Sequence, residues 1–361
     1  MKILVLAPIN SPIVQRLIFS LEEAGNEIIC ASHNAEKFPS VINLGRVNSM
    51  FSYFDFFKIR KLVKIHQPDV VHAHIVNHYG LMGLFQPKPL VVALWGSDVM
   101  LAPNKGGELR RLFYGFVNYL VLLKATKFHT SAEHVAKEAI RQCKHSKNKG
   151  DIFYWGFPLL KPNKNKLSKI IKLFKSEFSL PDSKVIVFPR GLGDVYNPIA
   201  VANIINKLLS KKVDYQIVVL KGFANDVDVD KFSHLVDMSK ITFIDRLLNQ
   251  DELYYLYSKS SIHISIPKSD SLGGGVIEPA LLGSFPVLSN LPSYQCYIEN
   301  NNGLILNDFS GGSLSAFAEK VSEHSFFNSK TNIPRVDYSL DAIVKRFEGL
   351  YTAAINNHNE H

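Results

Sequence analysis

Cysteine is scarce in this chain. There are three in 361 residues, Cys30, Cys143 and Cys296, far apart and odd in number. That excludes a disulfide framework, and none of them stands at a zinc-ligand spacing. A reducing compartment is the simple expectation. Long apolar runs are missing too. A spanning helix needs about 18 uninterrupted apolar residues. The longest candidate, Leu112–Leu123, is broken by Gly115 and Asn118 and flanked by Arg110, Arg111 and Lys124. The opening run in MKILVLAPINSPIV stops at Pro8 and Asn10, too short for the core of a secretory leader, and reads as a buried strand. Low-complexity tracts and repeats with a period of about 20–50 residues are absent. Acidic residues are outnumbered, 32 against 41 Lys and Arg, for a net charge of +9. Such an excess favours anionic partners. No helix-turn-helix, RNP or zinc-finger pattern supports nucleic acid. An anionic membrane surface or a phosphate-bearing substrate remains.

What is present describes a globular chain, 46% hydrophobic and 20% charged, long enough for two domains. Short apolar runs alternate with amphipathic segments. In the first half, Lys2–Leu6, Glu27–Ala31, Val70–Ala73, Leu90–Leu94, Lys127–His129 and Asp151–Tyr154 predict strands. Pro12–Glu23, Phe56–His66, Glu108–Leu123 and Ala132–Cys143 predict the helices between them. Ser11 before Pro12 supplies an N-cap and a first-turn proline. A second series begins near Lys184. Its strands are Val185–Phe188, Gln216–Leu220, Ile241–Ile244, His263–Ile266, Phe285–Leu288 and Gly303–Leu306. Its helices are Ile199–Leu209, Gln250–Lys259, Val276–Leu282 and Gly312–His324. Strand–helix alternation predicts α/β architecture, two Rossmann-like parallel-sheet domains covered on both faces. The expected division is 1–155, a Pro/Lys/Asn-rich linker 156–166, a second domain 167–337 and a C-terminal helix within 338–361.

The segment SDSLGGGVIEPALLGSFPV, Ser269 to Val287, concentrates chemistry. Asp270 and Glu278 stand with seven residues between them, and Gly273, Gly274 and Gly275 lie inside the interval. The pattern predicts a strand, a glycine loop and a helix N-terminus, where free amides and the helix dipole face an anion. Two carboxylates beside a phosphate site suit ribose and hexose hydroxyls.

This segment resembles the E-x7-E region of retaining glycosyltransferases of the GT-B fold, family 4. Asp270 stands where that family usually has its first Glu. CYIENNNGLILN, from Cys296, is similar to the closing strand of the pattern. The resemblance implies a nucleotide-diphosphate sugar as donor, a glycan or glycolipid hydroxyl as acceptor, and a shared cleft at the strand ends of both domains. It also implies that the C-terminal helix crosses back to the first domain. Pro189-Arg190-Gly191-Leu192-Gly193-Asp194 fails the dinucleotide fingerprint at Tyr196. Instead Arg190 resembles the family arginine that holds the donor diphosphate, a task suited to a guanidinium fork. The lysine usually found about five residues later is missing from Val195-Tyr196-Asn197-Pro198. Lys221, after strand Gln216–Leu220, is the expected replacement, with Lys268 as a further candidate. Gly191, Leu272, Gly273, Gly274, Gly275 and Glu278 complete the expected donor site. The run of Asp226, Asp228 and Asp230 reads as a solvated loop or helix start. No catalytic metal and no cofactor are expected, since arginine, lysine and a helix dipole can neutralise a leaving diphosphate.

In the first half, His72 and His74 share a strand face, and D-V-V-H-A-H resembles a family strand. With His78 they make three histidines, which lack a closing ligand for zinc. Trp95-Gly96-Ser97-Asp98 resembles the family's H-G-x-D segment, with Trp95 in place of the histidine. An indole can stack on a sugar's C–H face. Asn10, Ser11, His74, Trp95, Gly96, Asp98 and His129 form the expected acceptor or sugar cleft, with Asp98 as its carboxylate. The catalytic set is then Arg190, Lys221, Asp270, Glu278 and Asp98.

The resemblance implies a hexosyl transfer with retention by a front-face route, in which the departing phosphate helps deprotonate the acceptor. A sugar-nucleotide 2-epimerase of the same fold and a non-catalytic sugar- or nucleotide-binding protein are the alternatives. The aromatic run Phe51–Phe57 beside Lys58, Arg60, Lys61 and Lys64 suits a bilayer interface or, equally, a helix's core face. On the first option the protein acts in the cytoplasm at the inner membrane face, on a lipid-linked glycan of a bacterial surface polysaccharide.

Overall fold

A computed structural model describes residues 1–104, 106–157, 164–178, 180, 184–323 and 337–360. The chain divides into two compact units. One comprises Met1–Leu159 and Tyr338–His361, the other Leu160–Asp337.

The first unit runs β1 (Lys2–Leu6), α1 (Pro12–Glu23), β2 (Glu27–Ser32), β3 (Ile42–Asn43), α2 (Phe56–His66), β4 (Val70–His74), β5 (Leu90–Leu94), α3 (Ser97–Met100), α4 (Glu108–Lys124), β6 (Lys127–Thr130), α5 (Glu133–Gln142) and β7 (Gly150–Ile152). The strands form one parallel sheet in the order β3-β2-β1-β4-β5-β6-β7. Central strands β4 and β5 are buried along their whole length, and β5 accordingly reads as an unbroken apolar run, while β4 carries His72 and His74. One face of the sheet packs on α2, α4 and α5. The other packs on α1 and on the last helix of the chain.

The second unit contains α6 (Lys164–Phe178), β8 (Val185–Phe188), α7 (Pro198–Ser210), β9 (Gln216–Leu220), α8 (Asp226–Ser233), β10 (Thr242–Ile244), α9 (Gln250–Lys259), β11 (Ser260–Ser265), α10 (Gly274–Leu281), β12 (Phe285–Ser289), α11 (Pro292–Asn300), β13 (Leu304–Leu306) and α12 (Gly311–Ser322). Its parallel sheet has the order β10-β9-β8-β11-β12-β13. Strand order reverses between β8 and β11, and such switch points in parallel sheets are where ligands bind. The expected fold class is therefore observed, two Rossmann-like parallel-sheet units of seven and six strands.

Details differ from the sequence reading for local reasons. Helix α6 starts at Lys164, inside the stretch read as linker; residues 158–163 lie outside the described residues, as does most of the irregular 328–338. Strand β7 ends at Ile152; the Phe153 amide still donates to the Thr130 carbonyl, and Phe153, Tyr154 and Trp155 beyond it are buried. Strand β11 begins earlier than read, at Ser260, where a bulge before Ile262 shifts its register on β8. Among the described residues no helix is long and apolar enough to cross a membrane.

The last helix, α13 (Leu340–Asn359), belongs to the first unit. Phe347 and Tyr351 are fully buried on it, against a cluster of histidines. His72 and His74 of β4 and His129 of β6 are all 0% exposed. The Tyr351 hydroxyl lies 2.8 Å from His72 Nδ1, and the His72 and His74 rings are 4.5 Å apart. Burial, helped by His129, pushes His74 down to about 3. Burial likewise pushes His129 down to about 3 and His72 well below the usual 6.5. In the second unit, burial takes His263 to about 3.

These groups are neutral in the fold and bind protons only when the chain unfolds. Their contribution is complete above pH 6.5 and is lost as pH falls from there toward about 3. Each histidine pulls in the same direction, because the unfolded chain binds a proton that the fold does not. Asp98 opposes them, since burial raises it to about 6, so the folded state takes up its proton first. One carboxyl does not offset four histidines. Urea midpoints at pH 7.5, 6 and 5 should therefore fall steadily below pH 6.5. A flat profile would contradict this account.

Candidate active site

Arg190 lies two residues past β8, and Asp270 lies past β11, so the switch point brings together groups 80 positions apart. Arg190 Nη2 donates to Asp270 Oδ1 at 2.9 Å, with the two side chains 17% and 10% exposed. Burial works against the guanidinium's charge, but the Asp270 carboxylate outweighs it and the arginine is held more firmly protonated than usual. The guanidinium also lies over the Tyr196 ring, 4.9 Å from its centre. Its Nε is buried without a hydrogen-bond partner.

Asp270 organises the loop. Its Oδ2 accepts from Gly273 N at 2.8 Å and from the Tyr294 hydroxyl at 2.7 Å. Tyr294 comes from α11 and is fully buried. The backbone carbonyl of Asp270 accepts from Ser293 Oγ at 2.9 Å. Three of a carboxylate's roughly four acceptor positions are thus used internally. This corrects the sequence reading. Asp270 is first a clamp on Arg190 and the loop, with room for one further donor.

The glycines make space for a side chain. A Cβ on Gly273 would fall 2.5 Å from Arg190 Nη1, and one on Gly275 would fall 2.7 Å from Arg190 Cδ. The guanidinium lies against the start of α10, where the loop's free amides gather. Leu272 takes φ +69° to enter this turn, a conformation side chains seldom adopt. Glu278, one turn into α10, folds back over the helix start; its Oε1 would lie 2.8 Å from a Cβ on Gly274. Gly191 and Gly222 let the loops after β8 and β9 touch, since a Cβ on Gly191 would meet the Lys221 carbonyl at 2.7 Å.

Beside Arg190 is a pocket of about 200 Å³, lined among others by Gly191, Tyr196, Phe223, Arg246, Tyr257 and Gly275. That is room for part of a ligand, since whole small-molecule sites run to about 300–1,000 Å³. Lys221 is not among its lining residues. Its ammonium pairs with Asp226 Oδ1 at 2.8 Å. Lys268 likewise pairs with Asp194 at 2.6 Å. A second cation besides Arg190 lines the pocket: Arg246, two residues past β10, which the sequence reading missed. A signal was available: Arg190, Lys221 and Arg246 each follow one of three neighbouring strands. Yet Arg246 gives four hydrogen bonds to Glu177 and Glu252, leaving about one donor of five. Arg190 gives one. Arg190 therefore keeps donors unused within the protein, whereas nearly all those of Arg246 are taken.

Asp226 and Asp228 occupy the first turn of α8, capped by the Asn225 side chain, with Asp230 following in the same helix. Among the described residues no group of three or more His, Cys, Asp or Glu is placed to hold a metal ion.

In the first unit, the expected cleft residues serve mainly to fix loops. Asp98 is 4% exposed and accepts from Val76 N at 2.8 Å and Trp95 N at 3.0 Å. Its carbonyl accepts from Asn77 and Asn118. These bonds hold Ile75 at φ +64°, strained for a β-branched residue, and Gly96 at φ +94°. Asp98 is thus a positioning residue, its carboxylate turned to backbone and not toward a sugar hydroxyl. His74 accepts from Trp95 Nε1 at 3.2 Å, and His129 Nε2 lies 2.6 Å from the Phe153 carbonyl. Both histidines are buried, which corrects their assignment to an open cleft. Trp95 is half-buried; Asn10 is exposed and Ser11 half-buried in the turn after β1.

Residues 2–130 match the family model described as Glycosyl transferase 4-like. No curated protein sequence matches the chain. Among solved structures, it is similar to a glycosyltransferase from Rickettsia africae ESF-5, with TM-score 0.74 and 16% identity over 99% of both chains. It is similar to Anabaena Alr3699/HepE in complex with UDP and glucose, with TM-score 0.66 and 15% identity over 98% of this chain and 97% of that one. It is also similar to UDP-GlcNAc 2-epimerase from Methanocaldococcus jannaschii, with TM-score 0.63 and 16% identity over 97% and 100%. At these identities the likeness is one of fold. The chain has the GT-B fold, the fold that the sequence resemblance implied, and residues 2–130 are similar to the Glycosyl transferase 4-like model.

Gly275→Ala should displace Arg190 and weaken UDP or GDP binding roughly tenfold, the loss of one misplaced charge-assisted hydrogen bond. Gly312→Ala, with nothing within 4 Å of its added Cβ, is the control. Calorimetry reads both, and equal affinities would refute the packing argument.

Proposed function

We propose that this chain is a retaining glycosyltransferase of hexosyl type. It would move a sugar from a nucleotide-diphosphate sugar to a hydroxyl of a lipid-linked glycan, in bacterial surface polysaccharide synthesis at the cytoplasmic membrane face. The observation that carries the reading is Arg190. It is a largely buried cation clamped by one carboxylate, with an unpartnered Nε, lying across a glycine loop at a helix N-terminus. That arrangement suits a diphosphate, and in transfer it would stabilise the charge left on the departing phosphate.

The internal bonds of Asp270 support a route without a covalent sugar–enzyme intermediate. As a nucleophile it would have to give up Arg190, Gly273 N and Tyr294. The departing phosphate is then the base for the acceptor proton on the same face. Glu278 would hold the ribose, and the pocket bounded by Tyr196, Phe223 and Arg246 would take the base. In the first domain, Trp95 and the loop fixed by Asp98 would shape the acceptor side. UDP is the first donor base to try, because the Anabaena neighbour is in complex with UDP and glucose.

Glu278→Ala should abolish donor binding by calorimetry while leaving the melting temperature near that of the parent. Unaltered affinity would remove Glu278 from the site. Among UDP-, GDP-, dTDP- and CMP-sugars, one should stabilise the parent by about 2.7 kcal/mol at 100 times its dissociation constant.

A 2-epimerase is the second reading, favoured by the likeness to the Methanocaldococcus enzyme. Release of free nucleotide that requires a glycan acceptor supports transfer, and conversion of the donor sugar without acceptor supports epimerisation. Transfer should continue in EDTA, with a rate unchanged within error. Loss of rate that Mn²⁺ restores would establish a metal requirement and return attention to Asp228 and Asp230.

A further inference from the structure

Two helices of the first unit expose faces that are apolar and basic at once. On α4, Leu109, Leu112, Phe116, Tyr119 and Leu123 are exposed at intervals of three and four, Leu109 at 86% and Leu112 at 70%. The opposite stripe of α4, Val117, Val121 and Leu122, is in the core. A surface helix ordinarily turns a charged face to water; α4 is apolar on both sides. On α2, Phe57, Arg60, Lys61, Lys64 and Ile65 share the exposed face, with Ile59, Leu62 and Val63 buried behind them. The aromatic run divides by position: Phe56 and Phe54 pack inward, while Phe57 is 84% exposed.

These faces are neighbours. A groove of about 540 Å³ is lined by Arg60 of α2, by Phe85 and Pro87, and by Leu120, Leu123 and Lys124 of α4. A second hollow, about 390 Å³, is lined by Arg60, Lys61, Lys64 and Lys88. Helix α2 carries four lysines and arginines and no acid, and α4 carries three against Glu108.

We propose that this face docks on an anionic lipid bilayer. Helix α4 lies in the headgroup plane with Leu112 and Phe116 among the acyl chains, and the cations of α2 meet lipid phosphates. Apolar side chains interleaved with lysine and arginine match both layers of a bilayer surface. A second copy of this chain fits the face poorly. A two-fold contact would bring like-charged faces together. Nucleic acid would leave the leucines and phenylalanines in contact with phosphate and water. The proposal deepens the reading of a lipid-linked acceptor and is independent of the donor site.

Sedimentation with phosphatidylcholine vesicles, alone or containing about one third phosphatidylglycerol, tests it. Wild type should sediment only with the anionic vesicles, and less so as salt rises. The double change Leu112→Gln/Phe116→Gln should lower vesicle binding at least about tenfold with an unchanged melting temperature. Lys61→Gln/Lys64→Gln should weaken binding and flatten its salt dependence. If wild type ignores anionic vesicles at low salt, or the variants sediment like wild type, the proposal is wrong. If wild type is a dimer that Leu112→Gln/Phe116→Gln converts to monomer, a second copy is the occupant and the proposal also fails. UDP affinity, measured on the same variants without lipid, reports on the donor reading separately.

Discussion

The salt bridge between Arg190 and Asp270 joins the two strands at which the second sheet reverses its order. Most of the candidate site depends on it. It fixes a buried guanidinium that burial alone would disfavour. Through the second oxygen of Asp270 it also fixes Gly273 and Tyr294. The loop can then cross the arginine only without side chains at Gly273 and Gly275, while Gly274 leaves room for Glu278. Removing one partner of such a pair generally leaves an uncompensated charge in a low-dielectric place, a cost of about 3–5 kcal/mol. Glycine, tyrosine and aspartate are therefore parts of one solution to one electrostatic problem.

The first unit solves a different problem with neutral groups. Its strand ends carry histidines, and burial keeps them uncharged. Nδ1 of His74 faces an indole N–H and that of His72 a phenol hydroxyl. Asp98, also buried, is satisfied by backbone amides from two loops. Polar residues here act as internal fasteners, which suits a surface that must hold its shape around strained positions such as Ile75.

Much of this was legible in the sequence. Parallel strands buried on both faces must be apolar throughout, so Lys2–Leu6, Leu90–Leu94, Val185–Phe188 and Gln216–Leu220 could be placed to the residue. Pro12 marked a helix start at its first turn, although the Ser11 side chain makes no capping hydrogen bond. Helix α6 was hidden because lysine and asparagine at its start share the composition of a linker. The roles of Arg246, Asp270 and Lys221 were hidden for another reason. Each is decided by a partner's geometry, and two of those partners are distant: Glu177 lies 69 positions from Arg246, and Asp270 lies 80 from Arg190. Periodicity reports which side of an element is buried. It does not report which charge finds which.

The chain leaves its first unit near Leu159 and returns to it at Tyr338. During synthesis the second unit is a continuous stretch and can complete its core as soon as it emerges. The first cannot, although it is made earlier. One face of its sheet waits for Phe347, Leu350 and Tyr351. Until α13 arrives, that apolar face is open on a nascent chain. A ribosome that stalls, or a message cut short, past the second unit would release a protein with one finished half and one adhesive half.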